Sequence, residues 1–207
     1  MTITTDEINK RKSLVTVNEA ALLSDSPERA VRKAIEDRVI SCIKAKVKSV
    51  GPKTRETLDV YTVAVLSVLL DINLPVSKVE KIRISKHLRN CLMHGKYEDF
   101  VLNKYVFLSS SKMEETARAV FDKTSRYTSV RDAWVHRYPG IKGGTPVIKG
   151  TRMTVYSVLG RVENGDSLND IAKENPDIPH EALEAAITFA KANPMRGRPS
   201  GRPWEKT

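Results

Sequence analysis

Hydrophobic and polar positions near the start of the chain predict two short helices joined by a tight turn. The pattern from Thr16 to Glu19, followed by four apolar residues, is that of a helix capping box. The second helix is predicted from Pro27 to about Arg38, with Ser26 as its N-cap. Its apolar residues form one stripe at helical spacing and leave the remaining side chains outward, as in a recognition helix. The outward basic residues are Arg29, Arg32 and Lys33.

A basic stretch with partial two-residue alternation follows, and it predicts a β-hairpin at residues 39–60, which we call the basic hairpin. Its lysines are Lys44, Lys46, Lys48 and Lys53. Helix, turn, helix and hairpin together resemble the winged helix-turn-helix of the MerR and excisionase families. That resemblance implies that the second helix enters the major groove of DNA while the hairpin lysines contact phosphates. The alternative is a small helical domain with a solvated basic face.

Residues 61–129 are predicted to be a helical connector with one strand hairpin at residues 99–108. His87, Cys91 and His94 are spaced to share one helix face, as zinc ligands would be. Because no close cysteine pair accompanies them, we interpret Cys91 as a core residue, and a metal-dependent enzyme is kept as a third alternative. No carboxylate cluster or catalytic triad is visible, so we expect no catalytic residues, no metal and no cofactor.

Residues 130–194 combine a glycine-rich segment with three predicted helices. We call residues 138–155 the glycine elbow, because its glycines permit positive φ around a short extended piece. The elbow residues given a structural role are Gly143, Gly144, Pro146, Gly150, Thr151 and Arg152. The helices are predicted at 155–164, 167–175 and 179–193. Together they predict a homeodomain-like trihelical module within a mostly helical α+β protein.

The glycine elbow carries a resemblance to a known family. The order Pro-Gly, Gly-Gly, Pro, Ile and Gly-Thr-Arg is found at Pro139, Gly140, Gly143, Gly144, Pro146, Ile148, Gly150, Thr151 and Arg152. From about Val135 to Ala192 the chain resembles the family called domain of unknown function four-three-three. Thr154 departs from the pattern, since the family often has proline there.

Longer members of that family, which join an N-terminal helix-turn-helix region to this domain, resemble VapB-type antitoxins. In this chain the N-terminal region corresponds to residues 1–60. The resemblance implies a PIN-like ribonuclease toxin as partner, which the antitoxin blocks by direct contact. It also implies binding to operator DNA of its own operon and a homodimer formed through residues 130–194. The expected function is therefore an antitoxin of a type II toxin–antitoxin system that represses its own operon. The alternative is a stand-alone transcriptional regulator without a toxin partner.

Charge is unevenly distributed along the chain. The whole sequence has 35 Lys and Arg against 25 Asp and Glu, a net charge of +10. Residues 10–55 hold 12 basic and 5 acidic side chains, whereas residues 130–194 hold 8 of each. This favours a polyanionic partner for the N-terminal part. Two cysteines, a polar N-terminal start and no long apolar run lead us to expect a cytoplasmic protein without a membrane segment.

The last residues, 195–207, lack helical or strand periodicity, and we expect this basic tail to be disordered when free. An arginine could pair with the carboxylates of a PIN-like active site, while a tryptophan anchors the segment. The residues concerned are Arg196, Arg198, Arg202 and Trp204. Two alternatives stay open: an AT-hook-like contact in the DNA minor groove, and a merely solubilising tail.

Overall fold

The computed structural model describes residues 13–72 and 76–195. Its α-helices are α1 Val17–Leu23, α2 Glu28–Glu36, α3 Val60–Asp71, α4 Lys78–His94, α5 Ser110–Trp134, α6 Val155–Glu163, α7 Leu168–Glu174 and α8 His180–Ala192. Its strands are β1 Leu14–Thr16, β2 Ile43–Ala45, β3 Arg55–Asp59, β4 Phe100–Asn103, β5 Val106–Leu108, β6 Val135–His136 and β7 Val147–Ile148. The described chain is mostly helical with small antiparallel sheets, which confirms the predicted α+β class.

The first two helices form where the sequence predicts them, with one correction at the turn between them. Thr16 and Glu19 make the expected capping box of α1. Helix α2 begins one residue later than predicted, because Pro27 and not Ser26 is its N-cap. The Ser26 hydroxyl instead donates to the carbonyl of Ser24 at 3.0 Å, inside the turn. On α2, Val31 is buried, so the apolar stripe predicted for this helix is confirmed.

Strands β1, β3 and β2 form one antiparallel sheet in that order, so the basic hairpin contributes two of its strands. Lys44 lies opposite Glu56, and Ala45 lies opposite Arg55. Leu58 on β3 is fully buried and joins the sheet to the core beneath α1 and α2.

Helix α3 lies at the centre of the first apolar core, between α4 and α5. Its residues from Thr62 to Leu69 are all buried, as expected for a helix that is apolar on every side. Helix α5 extends from Ser110 to Trp134 and passes through the predicted boundary between residues 129 and 130. None of the helices in the described ranges is both long and apolar enough to cross a membrane.

A second apolar core lies under the glycine elbow and joins α6, α7 and α8. Two residues from the loop of the basic hairpin, Val47 and Val50, are buried in this core. In the other direction, Ala185 of α8 belongs to the first core, and α8 packs against α1 and α5. The N-terminal and C-terminal parts of the described chain are therefore packed together in both cores.

A buried ion pair fixes α1 to α5. Glu19 is 0% exposed and Arg131 1%, and their Oε1 and Nη1 atoms are 3.0 Å apart. Glu19 Oε1 also accepts from the Tyr127 hydroxyl at 2.7 Å, and Oε2 accepts from the amide and hydroxyl of Thr16. Arg131 Nη2 donates to the carbonyl of Leu14 at 2.8 Å. Burial alone would lower the pKa of Arg131, but the Glu19 carboxylate raises it above its usual range.

Replacing Glu19 by Gln should strongly destabilise the protein, because the buried Arg131 charge would keep only the exposed Asp132 carboxylate, 2.8 Å away, as a counter-charge. We expect a loss of about 3–5 kcal/mol in the free energy of unfolding, measured by urea denaturation. Tyr127→Phe removes one neutral donor and leaves the ion pair intact, so it should cost only about 1 kcal/mol. Equal, small losses in both variants would show that this ion pair does not fix α1 to α5.

A second ion pair holds the start of α3. The Asp59 carboxylate caps this helix by accepting from the Thr62 amide at 2.7 Å, and both of its oxygens accept from Arg89, at 3.1 and 2.7 Å. Burial alone would raise the pKa of Asp59, but the hydrogen bonds and charge of Arg89, together with Thr62, lower it below its ordinary value of 3.8.

Because the folded-state pKa of Asp59 is depressed, its ionised carboxylate stabilises the protein above the ordinary pKa of 3.8. That contribution is lost as the pH falls through the lower folded pKa. Urea denaturation of the natural protein and of Asp59→Asn should therefore give a stability difference that is constant from pH 7 to about 5 and shrinks below pH 4. A difference independent of pH would mean that the Asp59 charge contributes nothing.

Candidate nucleic-acid interface

Helix α2 lies at the surface and carries a basic outer face. All three predicted contact residues on it are exposed: Arg29, Arg32 and Lys33. Arg32 pairs with Glu28, one turn earlier, at 2.6 Å and reaches Glu56 on β3 at 4.0 Å. Such exposed ion pairs contribute at most about 1 kcal/mol, so a phosphate could replace them. Arg29 and Lys33 make no ion pair with any residue in the described ranges and offer free positive charge.

The basic hairpin presents its predicted lysines to solvent. The exposed side chains are Lys44, Lys46, Lys48 and Lys53. Buried Val47 and Val50 alternate with them and anchor the loop on the second core. Lys46, Lys48 and Lys53 therefore lie on a loop whose apolar residues hold it in place, and Lys44 lies on β2.

Neighbouring residues of β3 point to opposite faces of the sheet, as in any strand. Glu56 faces α2, since it approaches Arg32. Arg55 therefore points to the other face, toward the glycine elbow, and it is exposed. The hairpin separates two basic surfaces, one shared with α2 and one shared with the elbow.

The glycine elbow adopts the tight conformation that its sequence predicts. Gly143, Gly144 and Gly150 have φ of 62°, 77° and 78°, a region that disfavours other residues. Strands β6 and β7 pair antiparallel across the elbow, and Pro146 is buried beside them. The Thr151 hydroxyl donates to the carbonyl of Ile148 at 2.9 Å and closes the following turn.

The end of the elbow leads directly into helix α6. Arg152 is exposed. Thr154 is the N-cap of α6, and its hydroxyl accepts from the Ser157 amide at 3.0 Å. Threonine at this departure from the family pattern thus supplies a cap that proline could not. The three predicted C-terminal helices are confirmed as α6, α7 and α8.

Hairpin and elbow enclose a groove of about 790 Å³, which we call the junction groove. Lys53 and Arg55 line one wall, residues 143–146 line the other, and Arg137 and Tyr156 lie between them. Arg137 Nε donates to the carbonyl of Ser49 in the hairpin loop and Nη1 to that of Gly144 in the elbow, each at 2.8 Å. Among the described residues, every charged side chain that lines this groove is basic.

Burial and neighbouring charges shift the pKa values of two groups in the junction groove, Arg137 and Tyr156. Burial and the neighbouring Arg55 lower the pKa of the Arg137 guanidinium, while Tyr156 acts in the opposite direction. Burial raises the pKa of the Tyr156 hydroxyl, which donates to the carbonyl of Asn193 at 2.7 Å. The groove therefore holds positive charge that no carboxylate among its described lining residues offsets.

The histidine and cysteine face on α4 does not form a ligand set. Cys91 is buried, with its Sγ 3.5 Å from His87 Nε2, and that same nitrogen lies 3.0 Å from the carbonyl of Glu98. His94 is exposed at the end of the helix. Over residues 13–72 and 76–195, no three or more His, Cys, Asp or Glu side chains are grouped so as to hold a metal ion.

The toxin-contact residues predicted in the tail lie outside the described residues, which end at Met195. Sequence reasoning also missed two residues that the structure brings into the site, Arg55 and Arg137. Arg55 follows the Gly-Pro turn and Lys53 closely, so its basic surroundings were visible in the sequence. Arg137 has no such signal, because its contacts with Ser49 and Gly144 join segments far apart in the chain.

The chain is similar to two individual proteins and to one family. An uncharacterized protein of Sinorhizobium fredii, y4eO, is 43% identical over 60 residues, which cover 29% of this chain and only 27% of that protein. The X-ray crystal structure of Rv2018 from Mycobacterium tuberculosis aligns with 84% of this chain and 96% of its own at 13% identity, with a TM-score of 0.39. Residues 135–190 match the model of a family described as protein of unknown function (DUF433), which confirms for those residues the resemblance carried by the glycine elbow.

Proposed function

We propose that the protein is a DNA-binding antitoxin: it binds promoter DNA of its own operon and neutralises a PIN-like ribonuclease toxin by direct contact. The observation that carries the DNA-binding part is the exposed basic face of α2 beside the exposed lysines of the basic hairpin. The order of helices and strands in this region, β1-α1-α2-β2-β3, supports a winged helix-turn-helix. In such an arrangement α2 enters the major groove and the hairpin contacts the phosphate backbone.

The geometry of α2 suits this role. Its apolar stripe packs on α1, so the basic face cannot turn away from solvent. Helix α1 is in turn fixed by the ion pair between Glu19 and Arg131. A recognition helix must keep one orientation to read base edges, and this packing gives α2 a rigid support.

The toxin-neutralising part of the proposal rests on the family resemblance of residues 135–190. The homodimer is proposed on the same ground, with α6–α8 as a homeodomain-like dimerisation module. We further propose that tail arginines enter the acidic site of the toxin, where a guanidinium would pair with the carboxylates that bind its metal. A protein that binds its upstream DNA but no ribonuclease encoded beside it would instead be a stand-alone regulator.

Neutralising the outer face of α2 should weaken DNA binding and flatten its salt dependence. In the triple variant Arg29→Gln, Arg32→Gln and Lys33→Gln, the slope of log K against log salt for the upstream DNA should fall by about 2–3, since each lost phosphate contact contributes about 0.9. The measurement is fluorescence anisotropy at several salt concentrations.

The matched control removes the same number of charges from exposed positions elsewhere. The exposed residues Lys86, Lys96 and Arg126 lie on or next to α4 and α5 and not on α2. Replacing all three by Gln should leave the slope within about 1 of the natural protein. If both triple variants lower the slope equally, net charge alone explains the binding and α2 is not the interface.

Removing the tail should impair toxin inhibition without disturbing the folded part. A chain that ends at Met195 retains all eight described helices. Coexpressed with the ribonuclease encoded beside it, this chain should still copurify with the toxin but should lose most of its inhibition of RNA cleavage.

Two full-length variants locate that effect. Replacing Arg196, Arg198 and Arg202 by Gln should reproduce the loss, because charge pairing with the toxin carboxylates is removed. Trp204→Ala should weaken inhibition less. Full inhibition by the shortened chain would overturn the role of the tail, and weaker DNA binding in its place would support the minor-groove alternative.

A further inference from the structure

The junction groove holds uncompensated positive charge on the face of the basic hairpin opposite α2. Lys53, Arg55 and Arg137 line it, and none of these residues forms an ion pair with a described carboxylate. Surface arginines and lysines normally find an acidic neighbour or remain dispersed in solvent. Here three cations converge on one concave surface, which is the arrangement expected of an anion site.

Arg137 is the fixed part of this site. Its Nε and Nη1 donate to two backbone carbonyls, one from the hairpin loop and one from the elbow. These contacts hold the guanidinium in one orientation while leaving its positive charge without a counter-ion. A preorientated guanidinium loses little side-chain entropy on binding an anion, and its planar donors match the oxygens of a phosphate.

Arg55 supplies the second cation. It is exposed on β3, lines the same groove and lies close enough to Arg137 for the two charges to repel. Such repulsion costs free energy in the empty groove and is relieved when an anion lies between the two groups. Lys53, two residues before Arg55, adds a flexible ammonium at the rim.

We propose that the junction groove is a phosphate-binding site, in which Arg137 and Arg55 hold the phosphate oxygens. Two sources share this chemistry: the backbone of DNA that runs past the hairpin, and a free phosphorylated compound. The groove volume of about 790 Å³ lies within the roughly 300–1,000 Å³ usual for small-ligand pockets, so a nucleotide would fit. The site is separate from the α2 face, and only its DNA source rests on the proposed function.

The test uses the full-length protein labelled with ¹⁵N and follows the Nε–H resonance of Arg137. Inorganic phosphate and AMP are titrated separately as free phosphate probes. Binding of the upstream DNA duplex is measured in parallel as a function of salt. The variants are Arg55→Gln, Arg137→Lys, and Arg126→Gln as a control that removes one exposed positive charge from α5.

We expect the Arg137 resonance to shift saturably with at least one phosphate source. If the source is a free compound, Arg55→Gln should weaken the affinity for phosphate or AMP about tenfold, as expected for the loss of one charge-assisted hydrogen bond. The affinity of Arg126→Gln should stay within twofold of the natural protein. If the source is instead the DNA backbone, Arg55→Gln should lower the salt slope of duplex binding by about 1. Phosphate and AMP should then not shift the Arg137 resonance. Arg137→Lys, which lacks the side-chain resonance and is followed through the backbone amides of the groove, should give losses in the same arm, because lysine cannot keep both carbonyl contacts and still face the anion.

The α2 triple variant separates this proposal from the proposed function. It should abolish tight duplex binding and leave the phosphate and AMP titrations unchanged. If no phosphate source shifts Arg137, or if Arg55→Gln behaves like Arg126→Gln in both arms, the groove is not a phosphate site, whatever the outcome for α2.

Discussion

Glu19 and Arg131 lie inside the protein with opposite charges 3.0 Å apart, and together they join the first helix, α1, to the long helix α5. Two charges removed from water cost several kcal/mol each, so they are tolerated only when all of their hydrogen-bonding atoms are satisfied. Here Thr16 and Tyr127 supply the remaining partners of Glu19, and Leu14 and Asp132 those of Arg131. The same carboxylate therefore begins α1 and binds α1 to α5.

This double use of Glu19 links local structure to overall arrangement. As a capping residue it satisfies the free amide at the start of α1, and as half of an ion pair it sets the position of that helix on α5. Helix α2 and the sheet follow α1, and the hairpin loop then reaches the second core through Val47 and Val50. The basic face of α2 and the junction groove thus occupy fixed positions on one folded body, on opposite faces of the hairpin.

Local signals in the sequence predicted much of the fold. The capping box at Thr16 begins α1 as predicted, because a hydroxyl next to an apolar stripe satisfies a free amide within three residues. Gly143 and Gly150 have positive φ, a backbone conformation that other residues adopt only under strain, so glycine at these positions predicted the turns. The exposure of Arg29 and Lys33 follows from the apolar stripe on α2. All of these depend on neighbours within one turn of the chain.

What the sequence did not predict depends on contacts between distant segments. Glu19 looks like an ordinary capping residue until Arg131, 112 positions away, is placed beside it. Val50 looks like a turn residue, yet it is buried because the elbow covers it. Arg137 gains its orientation from Ser49 and Gly144 together, and neither contact has a sequence pattern. The α2 face could therefore be inferred from sequence, whereas the junction groove required the folded structure.

We infer that the Glu19–Arg131 pair makes the N-terminal helices and the C-terminal helices one cooperative unit. Native-state hydrogen exchange under mild denaturant tests it most directly, because it measures the opening free energy of each helix separately. We predict that the most protected amides of α1, α3 and α8 share one opening free energy, equal to the global free energy of unfolding. Opening of α1 at a clearly lower free energy, while α5 and α8 stay closed, would contradict it.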